Sequence, residues 1–175
     1  SGLGLLLHLD SRDNLFSPTR GQEGYLVFNA FNEALGGDFN YERWEAKIFS
    51  YHPLSEKFIL GLRLDGEGTT EGAPFYVLPF VDLRGVPIGR YQDELAAVGE
   101  LEGLWNIVGR WTLVGFGGVG HVDGDLITSK EQTIWAGGVG FRYLMARRLG
   151  LKAGIDLAWS EDDFAFYIAM GTGWR

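Results

Sequence analysis

The sequence predicts an all-β protein: a transmembrane, antiparallel, up-and-down β-barrel of about eight or nine strands per chain. Three observations predict it. Apolar residues recur with a period of two, which is the strand period. One face of each run carries glycine, alanine and charge, while the other carries leucine and aromatics, the inverse of a soluble sheet. The runs are roughly 10 to 13 residues long, the span of a strand that crosses a bilayer at a tilt.

Composition agrees. The 175 residues suit one domain, 1–175. Glycine is abundant at 27 residues, aromatics make up 14%, and cysteine is absent. Mean hydropathy is near zero, and no apolar run approaches the roughly 18 residues of a membrane helix. Alternating strands average out in this way, so a low mean does not argue against a barrel. A net charge of −8 gives nucleic acid no electrostatic footprint to bind. No secretory leader precedes Gly2, and a barrel needs export, so the expectation is a mature chain or a cut-out domain.

In chain order, Leu3, Leu5, Leu7 and Leu9 share a face opposite Gly2, Gly4, His8 and Asp10, which makes a first strand. A turn region, 11–19, leads to a second strand from Gly21 to about Glu33, with Leu26, Phe28 and Ala30 outward. The third runs from Phe39 to Tyr51, with Trp44, Ala46 and Ile48 outward and Arg43, Glu45 and Lys47 inward. Pro53, unable to donate within a ladder, ends it. The fourth, Lys57 to Glu67, sets Phe58, Leu60, Leu62 and Leu64 against Gly61, Arg63, Asp65 and Glu67. Residues 68–92 break the pattern; they form one long loop, too long for an ordinary hairpin connection, that either folds inward or stays outside. Asp93 to Trp105 makes a fifth strand, and Arg110 to about His121 a glycine-rich sixth.

Three closing strands lie between Thr133 and Trp174. Trp135, Val139, Phe141 and Tyr143 oppose Ala136, Gly138, Gly140 and Arg142. Leu151, Ala153, Ile155, Leu157 and Trp159 oppose Lys152, Gly154, Asp156 and Ala158. Phe164, Phe166, Ile168, Met170 and Trp174 oppose Ala165, Tyr167, Ala169, Gly171 and Gly173. The joins are short and charged, as in antiparallel hairpins.

No enzyme is predicted. His121 with Ser129, or His8 with Ser11, would supply a serine–histidine pair for a lipid hydrolase, but neither spacing has a motif behind it. No metal-ligand spacing is present and no cofactor is expected. Gly137, Gly138 and Gly140 lie in a strand pattern with no helix after them, which excludes a phosphate cradle.

Several segments together resemble the bacterial surface-antigen outer-membrane barrel superfamily, the BamA, TamA and two-partner secretion transporter type. Residues 10–21, Asp-Ser-Arg-Asp-Asn-Leu-Phe-Ser-Pro-Thr-Arg-Gly, look like its strand–turn–strand motif. Residues 41–54 resemble the strand that follows. Leu83, Arg84 and Gly85 lie in the long loop and are similar to its arginine–glycine loop motif. Residues 138–143, 154–158 and 164–174 resemble its closing strands. The sequence departs from the pattern at three points. It lacks the aromatic that commonly follows the loop glycine, has Gly117 and Gly118 where an aspartate is usual, and ends on Arg175.

The resemblance implies a bacterial outer membrane location and a part in protein insertion or translocation, through a lateral seam or the lumen. Nine strands correspond to the C-terminal part of the family's 16-stranded barrel, hence a fragment or a reduced relative. It implies that Arg84 folds into the barrel to meet Glu100, Glu102 or Asp156, with Arg142 near by. It also implies a seam between the first and last strands, at Leu5, Leu7, Ile168, Gly171 and Gly173. Outer-membrane lipid and substrate outer-membrane or secreted proteins are the implied partners. The residues themselves leave open a passive structural or pore-like barrel, as a monomer or a homo-oligomer.

Overall fold

The computed structural model describes residues 1–127 and 131–174. Its nine strands form a single antiparallel sheet in chain order, each strand hydrogen-bonded to its neighbours in sequence. They are β1 (Gly2–Asp10), β2 (Gly21–Phe31), β3 (Tyr41–Pro53), β4 (Phe58–Thr69), β5 (Leu95–Val108), β6 (Trp111–Asp123), β7 (Gln132–Ala146), β8 (Leu151–Ser160) and β9 (Phe164–Met170). Single 3-10 turns at Glu33–Leu35 and Phe75–Val77 are the only helical pieces among the described residues. No ladder joins β1 to β9, so the sheet is open.

The cross-strand register keeps the two faces distinct. Leu5 lies opposite Phe28, and Phe28 opposite Trp44, on the outer face. Arg63 lies opposite Glu100, and Gly140 opposite Asp156, on the inner one. Because side chains alternate, a slip of one residue would exchange the faces wholesale. The outer face is apolar and exposed, with Trp135, Phe166, Ile168 and Met170 among its residues. β1 differs from the rest: all nine of its residues are exposed on both faces, and Leu6, directed inward, is 62% exposed.

The loop 70–94 lies on the concave side. Val81, Leu83 and Val86 pack there against Ala96, Val98, Val122 and Ile134 as a buried apolar cluster. Two glycines of β6 admit it. A Cβ on Gly118 would meet Leu83 Cδ1 at 2.8 Å and the Gly99 carbonyl at 2.7 Å, and one on Gly120 would collide with Val81.

The first hairpin turn, 11–20, is held by its own side chains. The Asp13 carboxylate accepts from the Thr19 amide (2.8 Å), the Thr19 hydroxyl (2.6 Å) and the Arg20 amide (3.3 Å). Asn14 Oδ1 accepts from the amides of Phe16 and Ser17. Gly21, at φ 98°, turns the chain into β2. Asn14 Nδ2 also donates to the Leu149 carbonyl at 3.0 Å, in the turn between β7 and β8. Phe16 lies against Gly171, just beyond β9. The curled sheet therefore brings its two edges together at this end through turns, without a strand ladder.

The end of the last strand differs from expectation. The closing strand stops at Met170, because Gly171 takes a φ of 81° and leaves the ladder. Gly171 and Gly173 thus follow the edge strand and are not part of it. Trp174, expected on the outer face, is buried inside for the same reason. The long connection forms a packed insert, consistent with its departure from strand alternation.

Two predictions follow from this packing. Gly118→Val should displace Leu83 and cost about 1–3 kcal/mol of stability, as overpacking does; a lower Tm and faster proteolysis within 70–94 would check it. The second concerns Asp13. Partial burial pushes its pKa up, but the hydrogen bonds from Thr19 and Arg20 outweigh that and hold it below the ordinary 3.8. A depressed folded-state pKa gives stability that is full above the unfolded value and is lost as pH falls through the folded one. Thermal scans between pH 5 and pH 2 should therefore show a loss of stability that Asp13→Asn lacks.

Candidate functional site

Inward side chains on β4, β5, β7 and β8 converge at mid-height on one arginine from the loop. Alternation puts Arg63, Glu100, Glu102, Arg142 and Asp156 on the concave face, where all five are buried. Charges placed there need partners, since an unpaired buried ion is costly. Arg84 supplies the link. Its guanidinium bonds Glu100 through Nε at 2.6 Å and again through Nη2. Nη1 lies 2.7 Å from Glu102 and 3.2 Å from Asp156. The plane of the group stacks on Phe116, 3.6 Å from the ring centroid, a favourable cation–π position.

The network extends to both sides. Arg142 grips Asp156 with two nitrogens, at 2.5 and 2.7 Å. Arg63 bonds Asp65, meets Asp82 of the loop at 2.9 Å and reaches Glu100 at 3.7 Å. Burial works against the charge on Arg84, yet Glu102, Glu100 and Asp156 together hold its pKa above the ordinary arginine value. A fork of five donors suits this task, because it can face three carboxylates at once and does not deprotonate.

Gly85 adds a backbone bond. Its N–H donates to the Tyr167 hydroxyl of β9 at 3.0 Å, and its φ of 97° lets the loop turn close against Ala158 and Trp159. Leu83 anchors in the apolar cluster. The three loop residues thus act by different means: apolar burial, multiple ion pairing and a close backbone approach.

Beneath the ionic layer lies the segment 171–174. Trp174 packs on Phe49 and Tyr51, with ring centroids at 5.9 and 5.6 Å, and on Ile59. Gly61 makes room for it, as a Cβ there would meet the indole at 2.6 Å. Gly173 passes so close to Arg84, Glu102 and Arg142 that a side chain would strike them. The concave side is therefore filled in three layers: an apolar plug from the loop, an ionic centre and an aromatic floor. A cavity of about 450 Å³ remains beside β9, lined in part by Arg63, Asp82, Arg84, Tyr167, Ile168 and Trp174.

Of the candidate residues, Leu83, Arg84, Gly85, Glu100, Glu102, Arg142 and Asp156 come together. Leu5 and Leu7 lie on the free edge of β1, and Ile168 on that of β9. Asp82, Phe116, Tyr167 and Trp174 were missed. Tyr167 carried a signal, as a polar-tipped ring among alanines on the inward face.

Enzyme and metal chemistry fare differently. His8 bonds Glu23 at 3.2 Å and His121 bonds Thr133 at 3.0 Å; Ser129 lies outside the described residues. The pair that the fold brings together is Ser50 with His52, at 2.8 Å on the outer face. Gln22 reaches Ser50 at 3.3 Å. No carboxylate among the described residues bonds the other ring nitrogen of His52, so the pair lacks the third group that orients a catalytic base. His8, Asp10 and Glu23 cluster with donor atoms within 4.8 Å of one another. Arg12 already bonds both carboxylates, at 2.8 and 2.7 Å, which fits an ion-paired strand end better than a metal site.

No protein-family model matches the sequence, and no curated protein matches it either.

Replacing Arg84 with alanine should cost about 3–5 kcal/mol, the usual penalty for removing one partner from a buried ionic set. Differential scanning calorimetry should show the lower Tm, and limited proteolysis a new cut within 70–94. Arg84→Lys should restore only part, since an ammonium cannot serve three carboxylates from one plane.

Proposed function

We propose that this chain is an outer-membrane β-barrel unit of the protein insertion and translocation type, working at the seam between β1 and β9. One observation carries the reading: large apolar side chains face outward and exposed, while arginines and carboxylates are buried on the concave side. In water that arrangement leaves far more apolar surface exposed than a monomer normally carries. In a bilayer it matches the solvent, with lipid outside and a polar interior. The resemblance of the loop and closing strands to the surface-antigen superfamily points to insertion or transport as the task.

The chemistry needed is backbone pairing. A free strand edge offers unpaired N–H and C=O groups to an incoming strand, which gains ladder hydrogen bonds without any particular side chain. β1 is such an edge, and Leu3, Leu5, Leu7 and Leu9 give an arriving strand an apolar outer face to match. Arg84 then has a positional role: it ties the loop to β5 and β8, so that the interior stays filled while the edges move.

A passive barrel is the second reading, favoured by that same filled interior, which leaves little room for a conducting path. The two readings part in reconstitution. Proteoliposomes holding the chain should accelerate insertion of an unfolded outer-membrane protein over empty liposomes, without swelling in sucrose. No acceleration would leave the passive barrel. Retention in membranes after alkaline wash, with release only by detergent, tests location separately. Cysteines at Leu5 and Ile168 that crosslink fully within one chain without loss of insertion would eliminate the seam mechanism.

A further inference from the structure

The two ends of the sheet differ in charge. At the end that carries the long loop, Glu33 and Asp38 follow β2, Asp125 follows β6, and Glu161, Asp162 and Asp163 make the turn between β8 and β9. Arg90 of the loop is drawn to Asp162 and Asp163. The opposite end carries the short turns, and there 109–110 and 147–150 contribute Arg110, Arg147 and Arg148. No acidic residue occurs in the sequence between Glu102 and Asp123, or between Glu131 and Asp156. The other turns at this end are closer to neutral. Arg12 is bound to Asp10 and Glu23, and Glu56 stands next to Lys57. Uncompensated positive charge is thus concentrated where β5, β6, β7 and β8 turn.

The two basic turns are neighbours. Trp111 lies opposite Tyr143 in the ladder between β6 and β7, and the Arg110 carbonyl accepts the Leu144 N–H at 2.9 Å. Just inside the turns the outer face carries an aromatic group: the Trp111 ring lies 4.9 Å from that of Tyr143 and 5.8 Å from that of Phe141. The Arg110 guanidinium stands 5.9 Å from the Tyr143 centroid, so cation and aromatic belt meet at one level. Arg147 and Arg148 are exposed, and neither is drawn into an ion pair among the described residues. Ile107, Val108 and Met145, also exposed, supply apolar surface beside them. Tryptophan and tyrosine collect at the headgroup level of a bilayer, and arginine pairs with phosphate through two parallel N–H bonds.

We infer that Arg110, Arg147 and Arg148 form a binding site for the headgroup of an anionic phospholipid, with Trp111 and Tyr143 against its glycerol and upper acyl chain. The inference rests on the membrane reading above and adds to it a ligand class and an orientation. Short turns face the periplasm in bacterial outer-membrane barrels, so the site belongs to the periplasmic leaflet. Net charge sets the specificity. A zwitterionic phospholipid carries the same phosphate, but its own cation offsets it, and three arginines without an acid near by favour the lipid that lacks this offset. The apolar and aromatic surface distinguishes a lipid from free phosphate, which gains nothing from it.

The test is native mass spectrometry of the 175-residue chain, released from detergent micelles that hold equal amounts of phosphatidylglycerol and phosphatidylcholine with identical acyl chains. At low ionic strength the chain should retain phosphatidylglycerol at least about tenfold over phosphatidylcholine, and the preference should fall roughly fivefold for each of Arg110→Gln, Arg147→Gln and Arg148→Gln. Arg147→Lys and Arg148→Lys should keep most of it. Equal retention of the two lipids by the unaltered chain would overturn the inference without any variant. Full preference in the triple glutamine variant would also overturn it, as would displacement of the lipid by inorganic phosphate at equal concentration. Membrane retention after alkaline wash with no lipid preference would count against this site alone. Lipid preference alongside a failed insertion assay would count against the transport reading alone.

Discussion

Everything on the concave side depends on one guanidinium being satisfied by three carboxylates. Glu100, Glu102 and Asp156 stand on two strands that are not neighbours in the sheet, and Arg84 belongs to neither. Remove the arginine and three buried acids face one another without a cation between them. Keep it, and β5, β8 and the loop share a single set of bonds. Such a network is weak evidence for stability, because its desolvation cost offsets much of the attraction. Its value is geometric. It fixes the loop at one depth and one orientation, and the apolar cluster of Val81, Leu83 and Val86 can form only with the loop at that depth.

Much of this was legible in the sequence, for a physical reason. A strand has a period of two, so facing is determined residue by residue once the strand is recognised. Glu100, Glu102, Arg142 and Asp156 could therefore be assigned to the interior without knowing what they touched, and Arg84 could be matched to them only through the resemblance of its loop. Alternation has nothing to say where it stops. The insertion of Leu83 over Gly118 depends on a missing side chain in a distant strand, and glycine in a strand reads equally as a bulge, a weak point or a slot. Trp174 is the sharper case. Its spacing continued the outward series of β9, and only the positive φ of Gly171 sends it inward.

The turn after β1 reads differently. Asp13, Asn14, Thr19 and Gly21 are ordinary turn residues, and composition alone would call the segment a loop. Their bonds make it rigid, and Asn14 then uses its remaining donor on Leu149, across the sheet. Local turn chemistry thus sets a long-range contact, because a floppy turn would lose too much entropy in reaching it.

The open edge and the filled interior are one fact seen twice. A closed barrel of about eight strands has an interior just filled by its own side chains. Nine strands closed on themselves would have no room for a 25-residue insert together with Trp174 and a 450 Å³ cavity. The loop can lie inside only if the sheet is held wider than nine strands can close. Arg84, stacked on Phe116 at 3.6 Å, lies within that interior and bonds carboxylates of β5 and β8 around the loop. The residues that fasten the loop thus also tie β5 to β8 across the curve of the open sheet.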